Sequence, residues 1–249
     1  MSRSEGPSTL VRLGHFFFKR RKFAFMAVFF AIVFGTRPRL AFGSWSWDAF
    51  LDAAGIAVAL LGQSLRALVI GLAYIRRGGK DQRVYADTLV QEGFFAHSRN
   101  PLYVGNMLVY VGLYLVLNSP WGYIVGIPFC SFVYLCIVLA EEDYLRTRFG
   151  QTYEDYCRRV NRFLPSPRGL GRTLGGMKFD WRRLIRKEYG STFACVSTAL
   201  GLLVWERYAL RGYLATKPVI RAVLLLWAPV ILAYATARFL KKTGRLGAS

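Results

Sequence analysis

Apolar residues in this chain are gathered into six runs, at about residues 23–34, 49–75, 101–117, 121–140, 191–210 and 219–240, separated by polar and basic stretches. A helix crosses the hydrocarbon core of a bilayer with about 20 residues, and the runs are of that order. The pattern predicts an all-α integral membrane protein with about six transmembrane helices. Only Asn118, Ser119 and Pro120 stand between the third and fourth runs, and these residue types form turns. The resulting hairpin returns Arg99 and the Glu141/Glu142 pair to the same membrane face. The glycines at 169, 171, 175 and 176 follow no apolar strand and match no dinucleotide or phosphate-loop fingerprint. That stretch reads as a linker, and no Rossmann domain is expected. The chain divides into an N-terminal tail (1–22), a transmembrane hairpin (23–77), a central unit of loop, hairpin and amphipathic helix (78–165), a basic linker (166–190) and a second hairpin with its tail (191–249).

Charge changes this picture in one respect, by orienting it. The formal net charge is +20 and 54% of residues are apolar. The basic residues lie mostly beside apolar runs, where positive charge fixes topology and attracts anionic headgroups. No recognisable nucleic-acid module accompanies them, so nucleic acid is not an expected partner. Lys19-Arg20-Arg21-Lys22 before the first run puts the amino terminus in the cytoplasm, and Arg76, Arg77 and Lys80 return the chain there after the second. The first run ends in Thr36-Arg37-Pro38-Arg39 without a small-residue cleavage pattern, which favours a retained anchor. Arg207, Arg211, Lys217 and Arg221 put more charge between the last two runs than an external loop usually holds, leaving those runs either spanning or partly interfacial. Cys130, Cys136, Cys157 and Cys195 form no C-x-x-C pair, so neither a metal nor a disulfide framework is expected.

The candidate chemistry lies in the central unit. Arg99 offers a fixed fork of donors suited to oxyanions, Pro101 starts a helix where its missing N–H costs nothing, and Tyr103 adds a hydroxyl. Gly105 lets a ligand or a neighbouring helix approach the backbone. Glu141 and Glu142 end an otherwise uncharged run and point about 100 degrees apart on a helix, so at least one faces the interior or a cation. Leu145, Phe149, Tyr153, Tyr156 and Val160 form an amphipathic stripe that could cap the site. Arg66, inside the second run, must snorkel, pair or line a polar cavity, and is a candidate acceptor-binding group. A face with these cationic and anionic groups suits a zwitterionic cofactor with a positively charged sulfur or amine. Alternatively, Arg99 and a glutamate only lock the hairpin.

Leu89-Val90, Gly93, Phe95, Arg99-Asn100-Pro101, Tyr103, Gly105, Glu141-Glu142, Leu145, Phe149-Gly150, Tyr153, Tyr156 and Leu164-Pro165 together resemble the membrane methyltransferase superfamily. That superfamily includes the isoprenylcysteine carboxyl methyltransferases and the phospholipid methyltransferases. The resemblance implies S-adenosyl-L-methionine bound at the cytoplasmic end of the hairpin, with contacts from Asp87, Thr88, Leu89, Val90, Phe95, Asn100, Pro101, Leu102, Tyr103 and Glu141, and with Lys80 or Gln82 contributing from the loop. Arg99, Glu142 and Arg66 are the candidate catalytic residues, Arg99 serving either the cofactor carboxylate or the acceptor. The implied acceptor is a membrane lipid or a lipid-attached group, at a bacterial inner membrane, with no obligate protein partner. Asn100 stands where a histidine is more familiar. Cys136, Ile137 and Val138 stand where the prenylcysteine enzymes carry an arginine, which disfavours a carboxylate acceptor. The last two runs have no counterpart in the resemblance and are expected to form an auxiliary hairpin. A sterol-reductase-like enzyme using NADPH, and a non-catalytic lipid-binding protein, are the competing readings.

Overall fold

The computed structural model describes residues 8–72 and 88–246. Among them the chain is all-α: helices α1 (Thr9–Gly35), α2 (Trp45–Leu72), α3 (Pro101–Leu117), α4 (Ile127–Phe149), α5 (Gln151–Arg159), α6 (Leu170–Gly175) and α7 (Trp181–Lys242). The stretches Trp45–Leu72, Gly122–Phe149 and Trp181–Lys242 are long and apolar enough to cross a membrane. The chain is an integral membrane protein. The six apolar runs fall on five helices, because α7 carries two. Gly212, at φ 73° and ψ 176°, breaks that helix. Its second arm folds back on the first, with Trp227 Nε1 donating to Ser197 Oγ at 2.8 Å and the Phe193 and Tyr234 rings 4.4 Å apart.

α1 starts earlier than the apolar pattern indicates. The stretch expected as a tail up to residue 22 is helical from Thr9, with Ser8 Oγ accepting from the Val11 amide. Lys and Arg are good helix formers, and their stems cover apolar surface. Arg20 and Arg21 lie over the Phe16 and Phe18 rings. Gly14 lets this basic half press onto α4, against the Cys136 carbonyl and the Ala140 side chain.

Lipid tails are as apolar as leucine, so helix association in a bilayer depends on close packing and polar contacts. Small residues supply the packing between the antiparallel pair α2 and α3. A Cβ on Gly55 would lie 2.7 Å from the Gly112 carbonyl oxygen, and one on Gly62 would lie 2.6 Å from that of Gly105. Gly105 therefore admits a neighbouring helix. Between α1, α3 and α4 the seam is aromatic, with Phe25, Phe29, Tyr114 and Tyr134 in one buried cluster that also takes in Leu202 of α7. Asn118 ends α3 in the left-handed region at φ 46°, and its Nδ2 donates to the Arg39 carbonyl at 2.9 Å and to Asp48 Oδ1 at 3.0 Å. A π-helical turn, Gly122–Gly126, leads into α4 and accommodates the Tyr114 ring.

Candidate functional site

The site forms where α3 begins and α4 ends. Residues 97–100 are laced to residues 161–166: the Arg99 amide donates to the Asn161 carbonyl at 2.9 Å, Ser98 Oγ to that of Phe163 at 2.9 Å, Asn100 Nδ2 to that of Arg162 at 3.2 Å, and the Ser166 amide to that of His97 at 2.9 Å. This seam puts two arginines beside one carboxylate. Glu142, 1% exposed, receives Arg162 in a bidentate pair at 3.0 and 2.8 Å and Arg99 Nη1 at 3.2 Å, with Arg146 at 3.8 Å. A buried carboxylate needs compensation of this kind, because an uncompensated charge costs several kcal/mol. The hydrogen bonds to Glu142 also raise the Arg162 guanidinium pKa further above its ordinary value.

Arg99 is not used up by this pair. Its Nη1 also reaches Cys157 Sγ at 2.6 Å, and its Nε is buried with no hydrogen-bond partner among the described residues. Glu141, the neighbour of Glu142, points elsewhere and accepts a 2.6 Å hydrogen bond from the Tyr103 hydroxyl. Glu142 thus meets guanidiniums while Glu141 meets a phenol, in keeping with their helical offset.

The remaining implied contacts gather around this junction. Phe95 is buried with Val69 and Phe94, with Val90 and Leu102 packed against them. Its carbonyl accepts from Tyr156 at 2.7 Å. Leu89 packs on Leu145, Tyr153, Tyr156 and Val160. The stripe expected along one helix is thus a cluster shared by α4 and α5, because Gly150 at φ 51° ends α4 and redirects the chain. Burial, and then the nearby Glu142 charge, raises the Tyr153 pKa and keeps that phenol neutral. Thr88 is exposed. Asn100 is buried and its amide serves the Arg162 carbonyl, while Pro101 takes the first helical position. Asp87, Lys80 and Gln82 lie outside the described residues.

Arg66 is paired. Its Nε and Nη2 engage Glu188 of α7 at 3.0 and 2.7 Å, and its Nη1 donates to Asn106 Oδ1. Gln63 Nε2 joins at 3.0 Å to Glu188 and 2.8 Å to Thr192. The network binds α2 to α7 and faces a mostly apolar cavity of about 590 Å³. The roles of Arg162, Arg146, Glu188 and Cys157 were not legible beforehand. Glu188 alone left a signal, as a carboxylate in a basic segment just before an apolar run. Cys136, Ile137 and Val138 are fully buried, and the Cys136 backbone is where α1 packs through Gly14.

This arrangement, a buried arginine and two carboxylates at one end of an apolar hairpin, falls within the part of the chain that known proteins share. Residues 52–152 match the family model for phospholipid methyltransferases. The chain is thus similar to the phospholipid methyltransferases over its central part. It is similar to the protein-S-isoprenylcysteine O-methyltransferase of Rattus norvegicus, at 30% identity over 131 residues, covering 49% of this chain and 43% of the relative. The match thus spans less than half the length of that relative. No solved structure matches the chain.

Proposed function

We propose that this chain is a methyltransferase that uses S-adenosyl-L-methionine to methylate a lipid or lipid-attached acceptor at the cytoplasmic face of a bacterial inner membrane. The observation that carries the reading is that the stretch shared with phospholipid methyltransferases folds so that Arg99, Glu141 and Glu142 converge at one end of the α3–α4 hairpin. Those residues fit the donor. The Glu141 carboxylate, oriented by Tyr103, suits a cationic group, and the unpartnered Arg99 Nε is a donor for an anionic one. Leu89, Val90, Phe95 and Leu102 supply apolar walls.

When bound, the cofactor supplies an electrophilic methyl group. What the chain contributes is positioning and exclusion of water, since an in-line transfer requires no covalent enzyme intermediate. Glu142 serves this indirectly by holding the Arg99 guanidinium in one orientation. Charge supports this orientation: Arg146, Arg148, Arg158, Arg159 and Arg162 crowd the end that carries the site, in keeping with the positive-inside bias of cytoplasmic faces. The acceptor reaches such a site from the bilayer, and its reacting atom is left open among O, N and S.

Titration of purified protein with S-adenosylhomocysteine tests the donor, with a micromolar dissociation constant expected, about 8 kcal/mol. Incubation of native membranes with radiolabelled S-adenosylmethionine, followed by separation of lipid from protein, tests the acceptor class. Binding of NADPH in place of S-adenosylhomocysteine would return the reductase reading. Cofactor binding with no label transferred to any membrane extract would leave a non-catalytic lipid-binding protein.

A further inference from the structure

Three carboxylates with no part in the site above meet near the opposite end of α3. Asp48 and Asp52 lie one turn apart at the start of α2, and Glu206 comes from the first arm of α7. They are 1%, 7% and 0% exposed, and one oxygen from each lies within 4.8 Å of the others. Part of this acidity is compensated. Arg207 Nη2 donates to Asp52 Oδ2 at 2.8 Å, and Asp48 Oδ1 accepts from Asn118 Nδ2 at 3.0 Å and from the Ala41 amide at 3.3 Å. The rest is not. Asp48 Oδ2 and both oxygens of Glu206 are buried with no hydrogen-bond partner among the described residues. A fully buried carboxylate with neither oxygen partnered is costly unless it meets a cation or a proton.

The charge count bears on which. Three carboxylates and the one guanidinium bonded to them leave a charge of −2 (three negative, one positive). A single proton on Glu206 donated to Asp48 Oδ2 would satisfy two of the three unpartnered oxygens and leave the cluster negative. Two protons or one divalent ion would neutralise it, and the single ion engages all three unpartnered oxygens at once. The donors are oxygen only, which selects hard cations over zinc or copper. Calcium, which accepts irregular oxygen geometry and gives up its waters more readily than magnesium, is the better fit to a buried set of side-chain oxygens.

We propose that Asp48, Asp52 and Glu206 form a binding site for a hard divalent cation, calcium by its tolerance of irregular and dehydrated coordination, which staples α7 to α2 beside the α3–α4 turn. The motif was hidden in the sequence because Glu206 lies far along the chain from Asp48 and Asp52, which stand at the start of another apolar run. Acidic residues in such runs are nevertheless functional candidates.

The test uses the full chain in nanodiscs of zwitterionic lipid, stripped with EGTA. Terbium should give saturable luminescence excited through tryptophan, displaced by calcium at a single site per chain. Calcium should raise the unfolding temperature, with magnesium needing at least about tenfold higher concentration for the same shift. Glu206→Gln keeps the shape and removes the charge, so both responses should vanish in it, while Asp155→Asn, at an exposed carboxylate, should leave them intact. If folded wild-type protein shows no displaceable terbium signal and unfolds at one temperature in EGTA and in millimolar calcium, the carboxylates are held by protons and the site does not exist. Equal calcium responses in wild type and Glu206→Gln would overturn it too. Should Glu206→Gln fail to fold, the wild-type terbium displacement decides alone.

Discussion

Glu142 has two arginine partners besides Arg99, and this redundancy allows stability and chemistry to be separated at single residues. Glu142→Ala would leave three guanidiniums around an empty position and should cost about 3–5 kcal/mol, as loss of one partner of a buried ion pair does. Arg99→Ala leaves Glu142 bidentate with Arg162, so it should cost well under half of that while abolishing methyl transfer. Thermal unfolding and transfer of radiolabel, measured on both variants, check this. Equal destabilisation with turnover preserved in Arg99→Ala would make the group a structural clamp. Glu141→Gln is expected to weaken S-adenosylhomocysteine binding by about 2 kcal/mol, as for a truncated charge pair. Tyr103→Phe, which removes only the hydroxyl that orients Glu141, should cost about 1 kcal/mol. Isothermal titration of both variants tests the assignment, and unchanged affinity in Glu141→Gln would remove Glu141 from the cofactor site. At this scale the sequence announced Arg99, Glu141 and Glu142, because charges bordering apolar runs stand out. It did not announce their partners. Arg162 is one of several arginines in a basic segment, and only the seam between residues 97–100 and 161–166 singles it out.

Among the elements, α2 and α3 depend on backbone contact at Gly55, Gly62, Gly105 and Gly112. Gly112→Leu would drive a side chain into Ala59 and the Gly55 carbonyl, and overpacking of that kind costs about 1–3 kcal/mol or more where backbone cannot yield. Gly201→Leu, with open space around it, should be nearly neutral. Comparing the yield of folded protein and the unfolding temperature of the two tests whether α2 and α3 pack as described. At the start of α7, Asp180 accepts from the Arg183 amide at 2.9 Å and pairs with its guanidinium at 3.1 Å. That amide hydrogen bond, and then the guanidinium, hold the carboxyl below its ordinary value. A depressed carboxyl stabilises above the unfolded pKa, near 3.9, and loses that contribution as pH falls through the folded one. Asp180→Asn keeps a capping oxygen without the charge. Wild type should therefore unfold above the variant at neutral pH, with the difference closing below about pH 4, and a difference independent of pH would contradict the cap. Apolar runs and the turn at Asn118-Ser119-Pro120 made these elements visible beforehand. Their ends were less so: α1 extends through its basic run because Gly14 finds a groove on α4, and α5 separates from α4 because Gly150 takes φ 51°.

For the whole molecule, the question is what α7 contributes, since the family match ends at residue 152. The second apolar hairpin was expected to stand beside the catalytic bundle, and its two arms prove unequal. The first arm is part of the bundle. Leu202 lies in the main buried cluster with Trp205 packed against it, Glu188 neutralises Arg66, and Arg207 pairs with Asp52. The second arm touches that core less: it meets the first through Trp227 on Ser197 and Tyr234 on Phe193, and residues such as Leu225 and Leu232 face outward, 77% and 69% exposed. The asymmetry arises from pairing across the chain, which no local pattern of apolar residues encodes. Two truncations should consequently behave differently. Deleting residues 213–249 removes the outer arm at the Gly212 break and should leave a folded protein whose affinity for S-adenosylhomocysteine changes less than about threefold, or 0.7 kcal/mol. Deleting residues 191–249 also strips Leu202 from the core and leaves Asp52 without Arg207, an unpaired buried charge worth several kcal/mol. That shorter chain should aggregate or unfold on extraction. Size-exclusion profiles in detergent and cofactor titration distinguish the two outcomes. A folded, cofactor-binding protein lacking residues 191–249 would return both arms to the periphery, and loss of cofactor affinity in a folded protein lacking only residues 213–249 would bring the outer arm into the site.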